Sequence, residues 1–79
     1  MSKNKIATPR TDNYRQVRAE AQKKANEFGY DYGIEPDAIG FHSFMLPRRE
    51  NRHGYELRCE VVMCENLEKR QPGHGPVKR

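Results

Sequence analysis

The strongest constraint on this chain is an apolar stripe at helical spacing. Tyr14, Val17, Ala21, Ala25 and Phe28 fall within about 80° of one another at about 100° per residue, the geometry of a helix with one greasy face. Arg15, Ala19, Lys23, Asn26 and Glu27 turn the other way and are expected in solvent. Thr11 or Asp12 stands where a side-chain oxygen can accept a free amide of the first turn, and Gly29 follows the last turn, where a left-handed residue is wanted.

The partner of that stripe should be a small sheet. Tyr55, Leu57, Cys59, Val61 and Met63 alternate with Glu56, Arg58, Glu60 and Val62, which predicts a strand over residues 55–63. A helix competes there, since Leu57, Val61 and Cys64 also fit a helical stripe, but the unbroken alternation and the Val61-Val62 pair favour the strand. Residues 39–46 (IGFHSFML) predict a second strand, with Ile39, Phe41, Ser43 and Met45 on one face and His42, Phe44 and Leu46 on the other. One helix covers one face, so the other must meet a second layer, a copy of the chain or a partner. Joined by PRRENRHG, the two strands make a hairpin with an arginine-rich tip. Glycines at 29, 33 and 40, with Pro36 and Asp37, predict a loop between helix and hairpin.

The expected architecture is therefore α+β, an amphipathic helix on a small antiparallel sheet. At 79 residues there is room for one domain. Residues 11–68 are expected to form it, between a basic N-terminal tail at 1–10, with a candidate third edge strand at 5–8, and a disordered basic tail at 69–79. The tail expectation rests on QPGHGPVKR, which carries two prolines and two glycines.

Charge divides the chain along the same lines. The formal net charge is +4, but Lys3, Lys5 and Arg10 at one end and Lys69, Arg70, Lys78 and Arg79 at the other contribute +7 with no acid among them. All 11 Asp and Glu residues lie between them with 8 Lys and Arg, so the body is expected to stand at −3. Within the body, Arg48, Arg49 and Arg52 with His53 oppose the single Glu50, while Asp31, Glu35, Asp37, Glu56, Glu60, Glu65 and Glu68 make the rest acidic.

Several chemistries find little footing. No apolar run approaches the roughly 18 residues of a membrane span, and MSKNK lacks the apolar stretch of a signal peptide, so the expected location is the cytoplasm. Cys59 and Cys64, five apart, point to different sides of either a strand or a helix and are expected as free thiols. The glycines never reach the spacing that cradles phosphates in nucleotide folds. His42, His53, His74 and the cysteines are too scattered for a metal site, so neither metal nor other cofactor is expected.

One enzyme class has a motif. His42 or His53 as a base, with Arg48, Arg49 and Arg52 around a phosphate, would suit a metal-independent ribonuclease. The order of helix, Gly40-x-His42-x-Phe44 and hairpin weakly resembles the HicA-type mRNA-cleaving toxins, in which a Gly-Ser-His segment follows the first helix. Phe41 stands where that family has its serine, and the family's closing helix has no counterpart here.

The first expectation is instead a non-catalytic, protein-binding regulator. It resembles in kind the phage and mobile-element products that inhibit or adapt a host nuclease or transcription complex, since a negative surface can occupy a groove built for nucleic acid. Tyr30, Tyr32, Phe44, Leu46, Glu56 and Glu60 are its expected contact residues. A homodimer would also cover the second face of strand 39–46. The alternative is a nucleic-acid binder that inserts a basic β-ribbon and uses Arg48, Arg49, Arg52, His53, Lys69 and Arg70.

Overall fold

The computed structural model describes residues 9–76, so the candidate edge strand at 5–8 lies outside the described residues. The fold is α+β, one helix packed on a three-stranded antiparallel sheet. Helix α1 spans Pro9–Phe28 and is described from a proline, whose fixed φ suits the first helical turn. Thr11 and Asp12 therefore lie inside the helix rather than at its cap, a correction to the expected boundary. At the other end the Gly29 amide donates to the Ala25 carbonyl at 2.8 Å, with φ at 82°. A Cβ on Gly29 would stand 1.9 Å from the Lys69 carbonyl oxygen. Only glycine satisfies both the left-handed turn and the close crossing of a later segment.

The sheet comprises β1 (Tyr32–Pro36), β2 (Phe41–Met45) and β3 (Glu60–Val62), in the order β2-β1-β3. Its central strand is the segment that glycine and proline made read as a loop. Pairing on both sides outweighs that local preference, as tertiary context commonly does for strands. Tyr32 faces both Met45 and Val62, while Ile34 faces Ser43 and Glu60. Pro36 comes after the last residue paired to β3, where the missing amide costs the ladder nothing on that side. The hairpin is consequently β1–β2. Its turn at residues 37–40 is held by Asp37, whose Oδ1 accepts the Ile39 and Gly40 amides at 3.0 and 2.7 Å.

The strand expected over residues 55–63 is a strand only at Glu60–Val62. Positive φ at His53 and Gly54 turns the chain, and Tyr55–Leu57 forms one turn of 3₁₀ helix in which Arg58 donates to the Tyr55 carbonyl at 2.8 Å. The alternation of Tyr55 and Leu57 thus belongs to a helical turn and not to a strand. The arginine-rich connection runs from β2 to β3, and the tip of the actual hairpin carries Asp37. A basic ribbon entering a groove is accordingly not the geometry present.

Where α1 meets the sheet, Ala21, Ala25, Tyr32, Ile34, Val62 and Cys64 form the buried core, with Tyr14, Val17, Tyr30 and Phe41 packed against them. Each large apolar side chain enclosed here stabilises the fold by about 1.5–3 kcal/mol. Phe28, expected in the stripe, stays 48% exposed. Asn26 is not merely solvated, because its Oδ1 accepts the Glu65 amide at 2.7 Å and its carbonyl accepts from the Asn66 side chain at 3.2 Å. The outer face of the sheet is partly closed by the chain itself. Phe44 lies across Gly33, where a Cβ would meet its ring at 2.6 Å, and the Tyr55 ring covers Phe44 at 5.6 Å.

Leu46 is 1% exposed, which corrects its expected place on an open face. Truncating it as Leu46→Ala should cost about 2–5 kcal/mol, read as a lowered urea midpoint; a change within about 0.5 kcal/mol, typical of surface positions, would contradict this placement.

Candidate anion-binding cleft

The site begins with one carboxylate at the entrance to β1. Asp31 is fully buried, and each of its three oxygens accepts a hydrogen bond. Its Oδ1 accepts the Cys64 amide at 2.9 Å and the Gly75 amide at 2.8 Å, while Oδ2 accepts Arg52 Nη2 at 2.8 Å. The Asp31 carbonyl takes the Leu46 amide at 2.9 Å, and its own amide donates to His74 Nδ1 at 2.8 Å. Burial alone would raise the Asp31 pKa, but Arg52 and the two backbone amides outweigh it and hold the carboxyl below its usual range.

Arg52 is buried and committed elsewhere as well, since its Nε donates to the Pro47 carbonyl at 2.8 Å. That corrects its expected role as a nucleic-acid contact, because the charge is spent on Asp31. The second surprise is the segment at 69–76, expected as disordered tail. Gln71 donates to the Gly29 carbonyl at 2.9 Å, and the Arg49 amide donates to the Gly73 carbonyl at 3.0 Å. Arg49 Nη2 also donates to the Gly75 carbonyl. The glycines that looked like markers of disorder supply the positive φ of 82° and 77° at Gly73 and Gly75, and with it a tight turn that drives His74 inward.

His74 is enclosed, with its ring edge-on to Tyr30 at a centroid distance of 4.7 Å. Its Nδ1 faces the Asp31 amide at 2.8 Å and Arg52 Nη2 at 3.5 Å. Two donors aimed at one nitrogen assign the ring proton to Nε2. Burial pushes the His74 pKa down; Asp31 pulls it up, and Arg52, Arg49 and Arg48 reinforce the fall. The ring is therefore neutral near pH 7. Its buried Nε2 has no hydrogen-bond partner among the described residues, an arrangement that is rare in folded proteins.

Around that ring the two basic segments of the chain converge. A cleft of about 280 Å³ is lined by Arg49, Arg70, Gln71, Gly73, His74 and Pro76. A second of about 190 Å³, lined by Tyr30, Arg48, Gln71, Pro72 and His74, shares the same turn. Arg70 Nη1 donates to the Pro76 carbonyl at 2.9 Å, so both cleft arginines are held by backbone oxygens of the segment they flank.

The other expected site residues are dispersed. Tyr32, 6% exposed, is core, so it too is corrected from contact surface to interior, because as part of the central strand it faces the helix. Tyr30 and Phe44 are half-buried, as is Glu56. Glu60 is engaged by Arg18 at 3.2 Å and by the Tyr14 hydroxyl at 2.6 Å. Arg48 is exposed and paired with Glu50 at 2.8 Å, and His53 and Lys69 are exposed. His42, the candidate ribonuclease base, sits between Asp37 at 3.0 Å and Glu35 at 3.6 Å, among carboxylates rather than arginines. Cys64 is buried and Cys59 half-buried, both as free thiols. Among the described residues no group of three or more His, Cys, Asp or Glu is placed to hold a metal ion, and no helix is long and apolar enough to cross a membrane.

No protein-family model matches the chain, and no curated protein or solved structure does so either. The likeness to HicA-type toxins thus gains nothing beyond the short motif.

The depressed His74 pKa fixes a sign. The unfolded chain takes up a proton on this histidine below about pH 6.5 while the folded chain does not, so stability falls as pH drops from there. A second loss follows below about pH 3.9, as Asp31 is forced to protonate. Urea midpoints measured between pH 7.5 and 5 should decline for the native chain, and this slope should flatten in His74→Asn; equal slopes in the two proteins would contradict a buried neutral His74.

Proposed function

We propose that the protein binds nucleic acid through phosphate contacts made by the 48–53 loop and the 69–76 segment. The observation that supports this most is the docking of the second segment on the first, which brings Arg49 and Arg70 to one cleft with Arg48 at its neighbour. The cations that sequence separates by some twenty positions share one face, with Glu50 as the acid paired there. Lys78 and Arg79 follow directly in the chain. A negative body behind this face orients the molecule toward a polyanion and keeps the rest of its surface off it.

The chemistry is backbone-directed. Guanidinium and ammonium groups on a short irregular loop grip phosphates without reading base edges, so the binding should be weakly sequence-dependent and steep in salt. Tyr30 at the second cleft offers a ring beside Arg48, the kind of surface on which an unpaired base stacks. That favours single strands over duplex.

A protein partner is the second reading. It draws on Leu57, which is 87% exposed in the same turn as Tyr55, and loses Tyr32 and Leu46 to the interior. The regulator of a host nucleic-acid-processing complex belongs to this reading.

Titration of a fluorescent single-stranded oligonucleotide across a series of salt concentrations separates the two. With about four cations engaged, the logarithm of the binding constant should fall with the logarithm of salt at a slope of about −3, and Arg49→Gln with Arg70→Gln should reduce the slope by about half. Absence of binding to single or double strands at low salt removes the first reading and leaves the second.

A further inference from the structure

Most basic surface patches are solvated side chains with no shape to them, but the cleft at the 71–76 turn differs in one respect. A hydrogen-bond donor has been carried into the protein and left without an acceptor, for His74 Nε2 is buried and unpaired among the described residues. Burying such a group unpaired is costly, and the fold keeps the ring in one orientation by spending the Asp31 amide on its other nitrogen. Arg49 and Arg70 line the same cleft, each with one guanidinium donor tied to a carbonyl, of Gly75 and Pro76 respectively, out of the five that an arginine has.

We infer that this cleft is a binding site for a single phosphate group, which takes the free guanidinium donors of Arg49 and Arg70 and, as the 71–76 turn shifts to uncover the enclosed ring, the Nε2–H of His74. The inference rests on the nucleic-acid reading for its biological source of phosphate but not for its chemistry. A tetrahedral oxyanion fits because it offers several acceptors to donors that converge from different directions, whereas a planar base edge would satisfy one or two. A cavity of about 280 Å³ holds one such group with water to spare. A cation is excluded by the two arginines. Selectivity should come from His74, since the arginines would hold any anion, while a neutral donor at fixed geometry rewards an oxygen placed opposite it.

The test is a titration of the full chain with inorganic phosphate, followed by ¹⁵N NMR of the imidazole and guanidinium nitrogens. The inference expects the His74 Nε2 and the Arg49 and Arg70 Nε signals to shift together and saturably, with chloride at equal ionic strength leaving them in place. His74→Asn keeps an acceptor for the Asp31 amide and removes the Nε2 donor, so it should weaken phosphate binding by about 10- to 100-fold. Arg70→Gln, at a half-exposed position outside the hydrogen bonds to Asp31, is the second variant and should weaken it by a similar factor. A linear, unsaturable drift, or affinity unchanged in His74→Asn with its amide spectrum intact, overturns the inference. Oligonucleotides with and without a 5′-phosphate distinguish the sources: tighter binding of the phosphorylated strand assigns the cleft to a terminal phosphate, and equal binding with His74 shifted assigns it to an internal one. Oligonucleotide binding that leaves His74 undisturbed defeats the cleft and spares the proposed function; phosphate binding with no affinity for either strand does the reverse.

Discussion

A single buried carboxylate organises this small protein. Asp31 lies between the helix and the central strand and receives donors from Arg52, Cys64 and Gly75, which belong to three separate stretches of chain. Isolated, a buried charge of this kind would be expensive. Supplied with a guanidinium and two amides, it becomes a clamp that holds the arginine loop, the chain after β3 and the C-terminal segment to one point. A folded domain of this length has little apolar core to spare, and here the cluster of six buried residues between helix and sheet is supplemented by polar ties that local sequence does not advertise.

The clamp has a consequence for charge. With Arg52 neutralised inside, the cations that remain outward on the loop are Arg48 and Arg49, and the docked segment brings Arg70 alongside them. A chain that reads as an acidic body with basic extremities therefore folds into an acidic body with one basic corner. The electrostatic character of the corner is a product of tertiary structure, because neither segment has the density of charge alone. His74 completes it as a neutral donor in a cationic setting, and the field of the arginines helps to keep it neutral.

Much of the fold was legible where apolar periodicity is tied to burial on one face. Ala21 and Ala25 follow the stripe into the core, whereas Val62, which the alternation placed with Glu60 on the polar face, is 1% exposed and Met63, expected on the apolar face, is 47% exposed. Illegibility set in where local composition and tertiary pairing conflict. Tyr32-Gly33-Ile34-Glu35-Pro36 reads as a loop because its glycine and proline disfavour strands in isolation, yet Gly33 is needed so that Phe44 can lie across the sheet. Tyr55 and Leu57 alternate as a strand would, yet the left-handed residues just before them bend the chain out of register. The segment around His74 was hardest. Glycines flanking a histidine signal flexibility in an unfolded context and a tight inward turn in a folded one, and nothing in the local sequence distinguishes the two. Asp31 itself gave one hint, a charged residue between two tyrosines at a helix-to-strand junction, where an acid must be either exposed or fully paired.

The account depends on the segment at 71–76 being held by Asp31 in solution. Native-state hydrogen exchange at the Gly75 amide tests it most directly, since that proton is donated to a buried carboxylate oxygen of Asp31. Protection comparable to that of the Leu46 amide, which is tied to the same residue, is the predicted result. Exchange of Gly75 at the rate of an unstructured peptide, with Leu46 still protected, would show a free tail, an Asp31 lacking one of its donors, and no basic corner.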